Sequence, residues 1–486
     1  MPLKQDDQGR QVVPIVVDNN EEPINSDRVF PVTNAASGEV VHYYAGADVA
    51  TCDRACEAAW KAFQDWRKAP VARRRDLLLR VAQLYEERLD DLVQAQMKET
   101  SCQESWAKFN VLASTNYIKE FAACVSSVKG VIPPTDKPDT MTFVFREPIG
   151  PFLIIPPWNA AVVLSTRAIS AAIVSGCTAV LKASELSPLT HSIIADIFRK
   201  AGCPPGVLNT VQASREDAAA VTESMIANDH IRKIEFIGSA AVGRIIGATA
   251  AKHLKPTLLE LGGKCPAIVL DDANLEQAAS LCAKGALAHH GQICFSTERI
   301  IVQRSIADKF NDLLIEQFKS TPGGMAVSKS IAQNAIDILK DAKDKGAKFL
   351  YGDGGDDGKC SIHPTIVLVD PKTSPEHLRI VDEETFGPSV SVYIVEDDKQ
   401  AIQLANRSAY GLNAAIHTQN LERAIKMGRE LEYGQVHTNC STVYISPTAP
   451  QGGMKGSGWG RQNASWGLDE YYSTKQISWH GKDSGD

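Results

Sequence analysis

At 486 residues the chain exceeds the size at which a single hydrophobic core keeps growing, so two or more domains are expected. Hydrophobic content of 44% and charged content of 22% are ordinary for a soluble globular protein. The net charge of −7 excludes a general nucleic-acid binder, since no face concentrates Lys and Arg against phosphate.

No apolar run reaches the ~20 residues that a membrane span needs. Residues 1–20 lack the apolar segment of a signal peptide, and the tail from His480 matches no simple targeting signal. A cytoplasmic protein without a membrane or nucleic-acid partner is the expectation. The eleven cysteines are scattered and contain no CxxC pair, which argues against both a disulfide framework and a metal site. Cys52 and Cys56, at i and i+4, read as packing residues.

In chain order, apolar residues keep helical spacing over 48–100. Ala59, Trp60, Ala62 and Phe63 precede a break at Pro70, and Leu77, Leu78, Val81, Leu84, Tyr85, Leu89 and Leu92 follow it. A further helix is expected over 104–128, a Pro/Gly-rich turn region over 130–138 and an alternating strand over 141–146. From Gly150 the pattern changes. Strands over 150–155, 178–182, 207–211 and 233–237 alternate with helices over 162–175, 188–201, 217–227 and 239–252. Such βαβ units build a parallel, doubly wound sheet. A second series follows, with strands over 267–270, 299–302, 365–369 and 390–395 and helices over 275–289, 305–319 and 328–345. The acidic, glycine-rich stretch 352–358 lacks calcium-loop spacing and reads as a solvated turn.

Two short segments hold the parts needed to attack a carbonyl and hydrolyse a thioester. They are Leu259-Glu260-Leu261-Gly262-Gly263-Lys264 and Gly291-Gln292-Ile293-Cys294. Taken singly, each has an ordinary reading: a buried cysteine, and a glutamate at a glycine turn. At a helix N-terminus, Cys294 would have a lowered pKa. Pro156-Pro157-Trp158-Asn159 follows a strand, where an Asn amide either donates to an oxyanion or forms a turn. Lys182-Ala183-Ser184-Glu185 also follows a strand and could meet ribose or phosphate, or cap a helix. Gly238-Ser239 opens a helix containing Gly243, and helix N-termini bind pyrophosphate, although this is not the GxGxxG fingerprint. Glu383-Glu384-Thr385-Phe386-Gly387-Pro388 is an acidic turn.

In this order and at this spacing, the segments resemble the aldehyde dehydrogenase superfamily over nearly the whole chain. Pro204-Pro205-Gly206-Val207-Leu208-Asn209 and Gly452-Gly453-Met454-Lys455-Gly456-Ser457-Gly458 add to the resemblance. It implies that Cys294 is the nucleophile forming a thiohemiacetal, with Asn159 and the Cys294 backbone N–H stabilising the oxyanion. Hydride passes to NAD(P)+, and Glu260 activates water to hydrolyse the resulting thioester. Lys182 and Glu185 match adenosine-ribose contacts, Gly238 and Ser239 the pyrophosphate site, and Glu384 the nicotinamide ribose. Phe386 lies at the nicotinamide end, and Trp158 and Leu261 count with the cofactor residues. Glu185 would repel a 2′-phosphate, so NAD+ is favoured and NADP+ admissible. No metal is implied.

Several positions depart from common family patterns: Pro156, Ala160, Arg167, Ile237 and Gln451. They imply a substrate channel less aromatic and more polar than in aliphatic-aldehyde members, with Ala160, Arg167, Phe295 and Gln451 as substrate contacts. Phe295-Ser296-Thr297-Glu298-Arg299, Arg167 and the Lys182–Glu185 segment are similar to the salicylaldehyde and vanillin dehydrogenase branch, so an aromatic aldehyde is expected. An aliphatic aldehyde or semialdehyde, acyl transfer to coenzyme A or phosphate, and a catalytically silent binding protein remain the alternatives.

The implied fold is α/β, with two doubly wound α/β domains and a small β oligomerisation element. Residues 1–128 and 147–258 would form the NAD-binding domain and 259–455 the catalytic domain. Residues 129–146 and 456–486 would form an arm and tail that build a homodimer or homotetramer.

Overall fold

A computed structural model describes residues 3–321, 323–369 and 377–482; the outermost ends of the expected first and last segments lie outside these. Two mostly parallel sheets carry the molecule, as the two βα series predict. In the eight-stranded sheet the neighbours run Gly458–Trp459, Thr257–Leu261, Lys233–Gly238, Pro151–Ile155, Thr178–Ala183, Leu208–Gln212, Val16–Val17 and Asn20–Glu21. Its five central strands are parallel. The chain winds outward in both directions from Pro151–Ile155, so the strand order reverses between it and Lys233–Gly238. Open α/β sheets bind ligands beyond the carboxyl ends of strands at such a switch point. The loops carrying Trp158-Asn159 and Gly238-Ser239 therefore flank one crevice.

The seven-stranded sheet runs Lys348–Tyr351, Thr365–Leu368, Ser389–Val395, Thr297–Gln303, Cys265–Val269, Asn413–His417 and Gln435–Thr438, parallel except for the first. A separate two-stranded ribbon pairs Thr140–Pro148 with Tyr472–His480 in antiparallel register. A four-stranded sheet near the N-terminus joins Lys4–Gln5, Gln11–Val13, Val40–Ala45 and Val29–Thr33. Two of its strands, Lys4–Gln5 and Gln11–Val13, are too short to show a period in the sequence.

The boundary expected between 258 and 259 falls inside Thr257–Leu261, an undivided strand of the first sheet. The chain crosses to the second sheet through Gly262-Gly263-Lys264, directly before Cys265–Val269. The tail is likewise split between structures. Gly458–Trp459 pairs with Leu259 and Glu260, while Tyr472–His480 belongs to the ribbon.

The helix expected over 275–289 ends at Leu287. His289 and His290 adopt left-handed backbone at φ 48° and 59°, followed by Gly291 at 74°. Helix Ala161–Ser175 is buried on every face, as an apolar-all-round helix inside a domain must be, and it brings Arg167 into the interior. Among the described residues no helix is long and apolar enough to cross a membrane.

Candidate active site

Glu260 occupies the last turn of strand before the crossover, paired on one side with Ile237 and on the other with Gly458. Glu260 is 2% exposed, so its carboxylate needs protein partners. Two side chains compensate: Arg167 donates to one oxygen at 2.6 Å and Gln451 Nε2 to the other at 3.1 Å. Arg167 and Gln451 do line the expected substrate cavity. Arg167 Nη2 and Gln451 Nε2 are engaged with the carboxylate, while Arg167 Nε is buried without a hydrogen-bond partner.

Cys294 sits in the turn that follows the left-handed His289-His290-Gly291 run. A side chain at Gly291 would come within 2.1 Å of the Gly387 carbonyl, so only glycine permits this close approach. Gln292 anchors the loop from inside: Nε2 donates to the His289 and Met325 carbonyls, and Oε1 accepts from Val327 N–H. Asn159 Nδ2 donates to the Gln292 carbonyl at 2.9 Å, and the Asn159 carbonyl accepts from Trp106 Nε1 at 2.9 Å. The oxyanion candidate is thus tied to the nucleophile loop.

No helix N-terminus lies at Cys294, so the condition for a lowered pKa is not met. Burial and the neighbouring Glu260 and Glu384 carboxylates instead push the thiol well above its ordinary range.

Cys294 and Asn159 line two cavities at once. The first, about 390 Å³, is bounded by Trp158, Ile237, Gly238, Ser239, Glu260 and Glu384, with Phe386 at one end. Trp158 and Phe386 meet edge to face at 6.0 Å. Ser239 caps helix Ala240–Lys252, and its side chain accepts from Val242 N–H. Glu384 accepts from Gly263 N–H at 3.2 Å, and a Cβ at Gly262 would lie 2.1 Å from its carboxylate. Burial raises the Glu384 pKa to about 8, with Glu298 adding to the rise and Gly263 N–H and Lys264 opposing it.

Glu185 lies apart, in a cavity of about 560 Å³ with Leu186 and Ser214. Lys182 is buried beside it, and its pKa is lowered by that burial. Leu261 does not reach either cavity: its side chain packs where a Cβ on Gly243 would stand, 2.5 Å away.

The second cavity, about 30 Å³, is bounded by Ala160, Leu164, Arg167, Ile293, Phe295 and Gln451 together with Trp106, Phe109 and Tyr117. Trp106, Phe109 and Tyr117 thus join the expected Phe295 at this cavity. These three rings come from one face of helix Glu104–Cys124, at positions three and eleven residues beyond Trp106, where helical periodicity returns to the same side. That spacing was readable in the sequence, but nothing there said which cavity the face would line. Among the described residues, no group of His, Cys, Asp and Glu could hold a metal ion.

The described geometry has counterparts among known proteins. The family model of the aldehyde dehydrogenase family matches residues 23–477. Salicylaldehyde dehydrogenase of Pseudomonas putida is 39% identical over 463 residues, covering 93% of this chain and 94% of that protein. Vanillin dehydrogenase of Pseudomonas fluorescens is 37% identical over 477 residues, 96% of this chain and 97% of that one. The crystal structure of a salicylaldehyde dehydrogenase from Pseudomonas putida G7 complexed with salicylaldehyde superimposes with a TM-score of 0.93 at 36% identity, covering 96% of this chain and 98% of that one. Fold and sequence agree that the chain belongs to the aldehyde dehydrogenase family and is an NAD(P)-dependent aldehyde oxidoreductase.

Proposed function

We propose that the protein oxidises an aromatic aldehyde to its carboxylic acid, with NAD+ as preferred oxidant. The observation that carries this reading is the position of Cys294 between a polar cleft and a cavity walled by Trp106, Phe109, Tyr117 and Phe295. Aromatic walls favour an aryl ring by offset and edge-to-face contact. The similarity to salicylaldehyde and vanillin dehydrogenases points the same way. At about 30 Å³ the cavity is smaller than an aryl ring. Entry therefore requires its walls to move; Phe109, 41% exposed, is stacked on Trp106 at 5.5 Å.

In the proposed mechanism the Cys294 thiol loses its proton to solvent in the cleft, and the sulfur adds to the aldehyde carbon. The Asn159 amide and the Cys294 N–H stabilise the oxyanion of the thiohemiacetal. NAD(P)+, held by Trp158, Gly238, Ser239, Glu384 and Phe386, supplies the hydride acceptor. Glu260 then takes a proton from the water that attacks the thioester carbon, and the C–S bond breaks to release the acid. A water-activating carboxylate at this place disfavours transfer of the acyl group to coenzyme A. At the far end of the cleft, Lys182 and Glu185 would meet the adenosine ribose. The Glu185 charge disfavours a 2′-phosphate by Coulomb repulsion.

The ribbon Thr140–Pro148 and Tyr472–His480 exposes Met141, Phe145, Ile477 and Trp479. Such apolar exposure favours a homo-oligomer built through this arm.

The deciding experiment is a screen of NADH and NADPH formation over salicyl, vanillyl and unsubstituted benzaldehydes against straight-chain aldehydes. The expected kcat/KM is at least about tenfold higher for the aryl substrates. Equal or better turnover of straight-chain aldehydes overturns the aromatic assignment.

A further inference from the structure

Among the described residues, Lys264 is the only lysine in the set of largest fully buried side chains, and neither cavity is lined by it. It ends the Gly262-Gly263-Lys264 crossover. Its ammonium bonds the Glu298 carboxylate and, at 3.1 Å, Thr385 Oγ1. Glu298 is the second residue of strand Thr297–Gln303, four positions beyond Cys294, and is 3% exposed.

That one carboxylate also holds the neighbouring acidic turn. Both its oxygens accept from Thr385 N–H, at 3.0 and 2.9 Å, and one accepts from Phe386 N–H at 3.1 Å. Three loops therefore converge on it: the crossover after Glu260, the segment after Cys294, and the turn carrying Glu384 and Phe386.

Two physical points argue that this network does more than hold the fold. A buried ion pair is poor value as stabilisation, because desolvating both charges offsets most of their attraction. Phe386 adopts φ 53°, a left-handed conformation that an aromatic residue keeps only when its surroundings over-determine it. The two N–H donors fixed by Glu298 are that residue's own and the one immediately before it. With Lys264 committed to Glu298, Glu384 keeps its own oxygens turned to Gly263 and the cleft.

We infer that Glu298, charge-balanced by Lys264, is a positioning residue that sets the Glu384–Phe386 turn for the nicotinamide half of the cofactor. The inference rests on the reading of Glu384 and Phe386 as cofactor contacts. Neither Glu298 nor Lys264 touches substrate; each acts through the turn.

The test measures NAD+ affinity by calorimetry, and aldehyde KM and kcat at saturating NAD+, in E298Q, E298D and E384Q. E298Q keeps the shape and one acceptor but removes the charge that binds Lys264. Its Kd for NAD+ is expected to rise about tenfold while aldehyde KM stays within about twofold, and E298D is expected to fall between E298Q and the parent. An E298Q enzyme with a lowered melting temperature but unchanged NAD+ affinity overturns the inference and leaves a structural ion pair. Should E298Q not fold, T385V removes only the hydroxyl next to Lys264. A rise of about threefold in Kd is then expected, and no change overturns the inference. E384Q separates the two levels of the argument. If it binds NAD+ as the parent does, the cofactor reading of Glu384 fails whatever E298Q does. If E384Q weakens binding and E298Q does not, only the positioning role fails.

Discussion

The two cavities that meet at Cys294 are built in different ways. The cofactor cleft is assembled from strand-end loops: Trp158-Asn159 after one strand, Gly238-Ser239 after another, and the Glu384–Phe386 turn before a third. Each loop is a short contiguous motif, and the sheets place all of them. The substrate cavity is assembled from surfaces. One face of helix Glu104–Cys124 and the buried helix Ala161–Ser175 meet Ile293, Phe295, Val443 and Ile445. Loops bring backbone donors and fixed charges to a polar cofactor, whereas helix faces bring area and shape to an apolar ring. Between the two walls stands Glu260, bonded to Arg167 from the substrate side, so the comparison has a seam as well as two halves.

Changes at the seam are expected to have the largest effects. Cys294→Ala should lower kcat for every aldehyde by about 10⁴-fold or more, read as NADH formation, while NAD+ binding by calorimetry remains. Glu260→Gln should leave a first turnover of NADH but cut steady-state release of acid by about 10²-fold or more, visible as a burst in stopped flow. A burst-free enzyme with the same deficit would place Glu260 in the attack step alone.

Smaller changes should separate the halves. Trp106→Ala is expected to raise KM for aryl aldehydes about tenfold with NAD+ affinity unchanged, since it removes one aromatic wall. Glu185→Ser should shift the NADP+ to NAD+ ratio of kcat/KM upward by about tenfold with aldehyde KM unchanged. If either variant moves the other ligand's constant as strongly, the two cavities are coupled through Asn159 and the division fails.

The mildest effect concerns acid. Burial lowers the pKa of His289 to about 3 and of His191, His290 and His417 to about 4. Each is neutral when folded, yet takes up a proton near pH 6.5 when unfolded. The unfolded chain therefore binds more protons between those values. Stability should be fully present above about pH 6.5 and decline progressively towards pH 4. Thermal melts across that range check the sign; a melting temperature that rises on acidification would contradict it.

The segments proposed for the cofactor side were legible in the sequence because they are contiguous and follow predictable strands. Lys182-Ala183-Ser184-Glu185 and Gly238-Ser239 follow parallel strands, and a doubly wound sheet fixes where such loops point. The Leu261 side chain packs against Gly243 of helix Ala240–Lys252, a contact that no local period in the sequence shows. Arg167 was seen as a substrate contact, but its bond to Glu260 joins residues 93 positions apart. The aromatic wall was overlooked because Trp106, Phe109 and Tyr117 look like any amphipathic face until a cavity lies against it.

The sequence by itself determined the two βα series, the thiol and carboxylate, and the glycines that let backbones approach closely, because these depend on local period and local backbone freedom. Tertiary structure alone decided that Glu260 is held by Arg167 and Gln451. It also decided that burial and two carboxylates raise the Cys294 thiol, and that Glu298 and Lys264 tie three loops together. Electrostatics inside a protein are set by distance and by the exclusion of water, and neither is written along the chain.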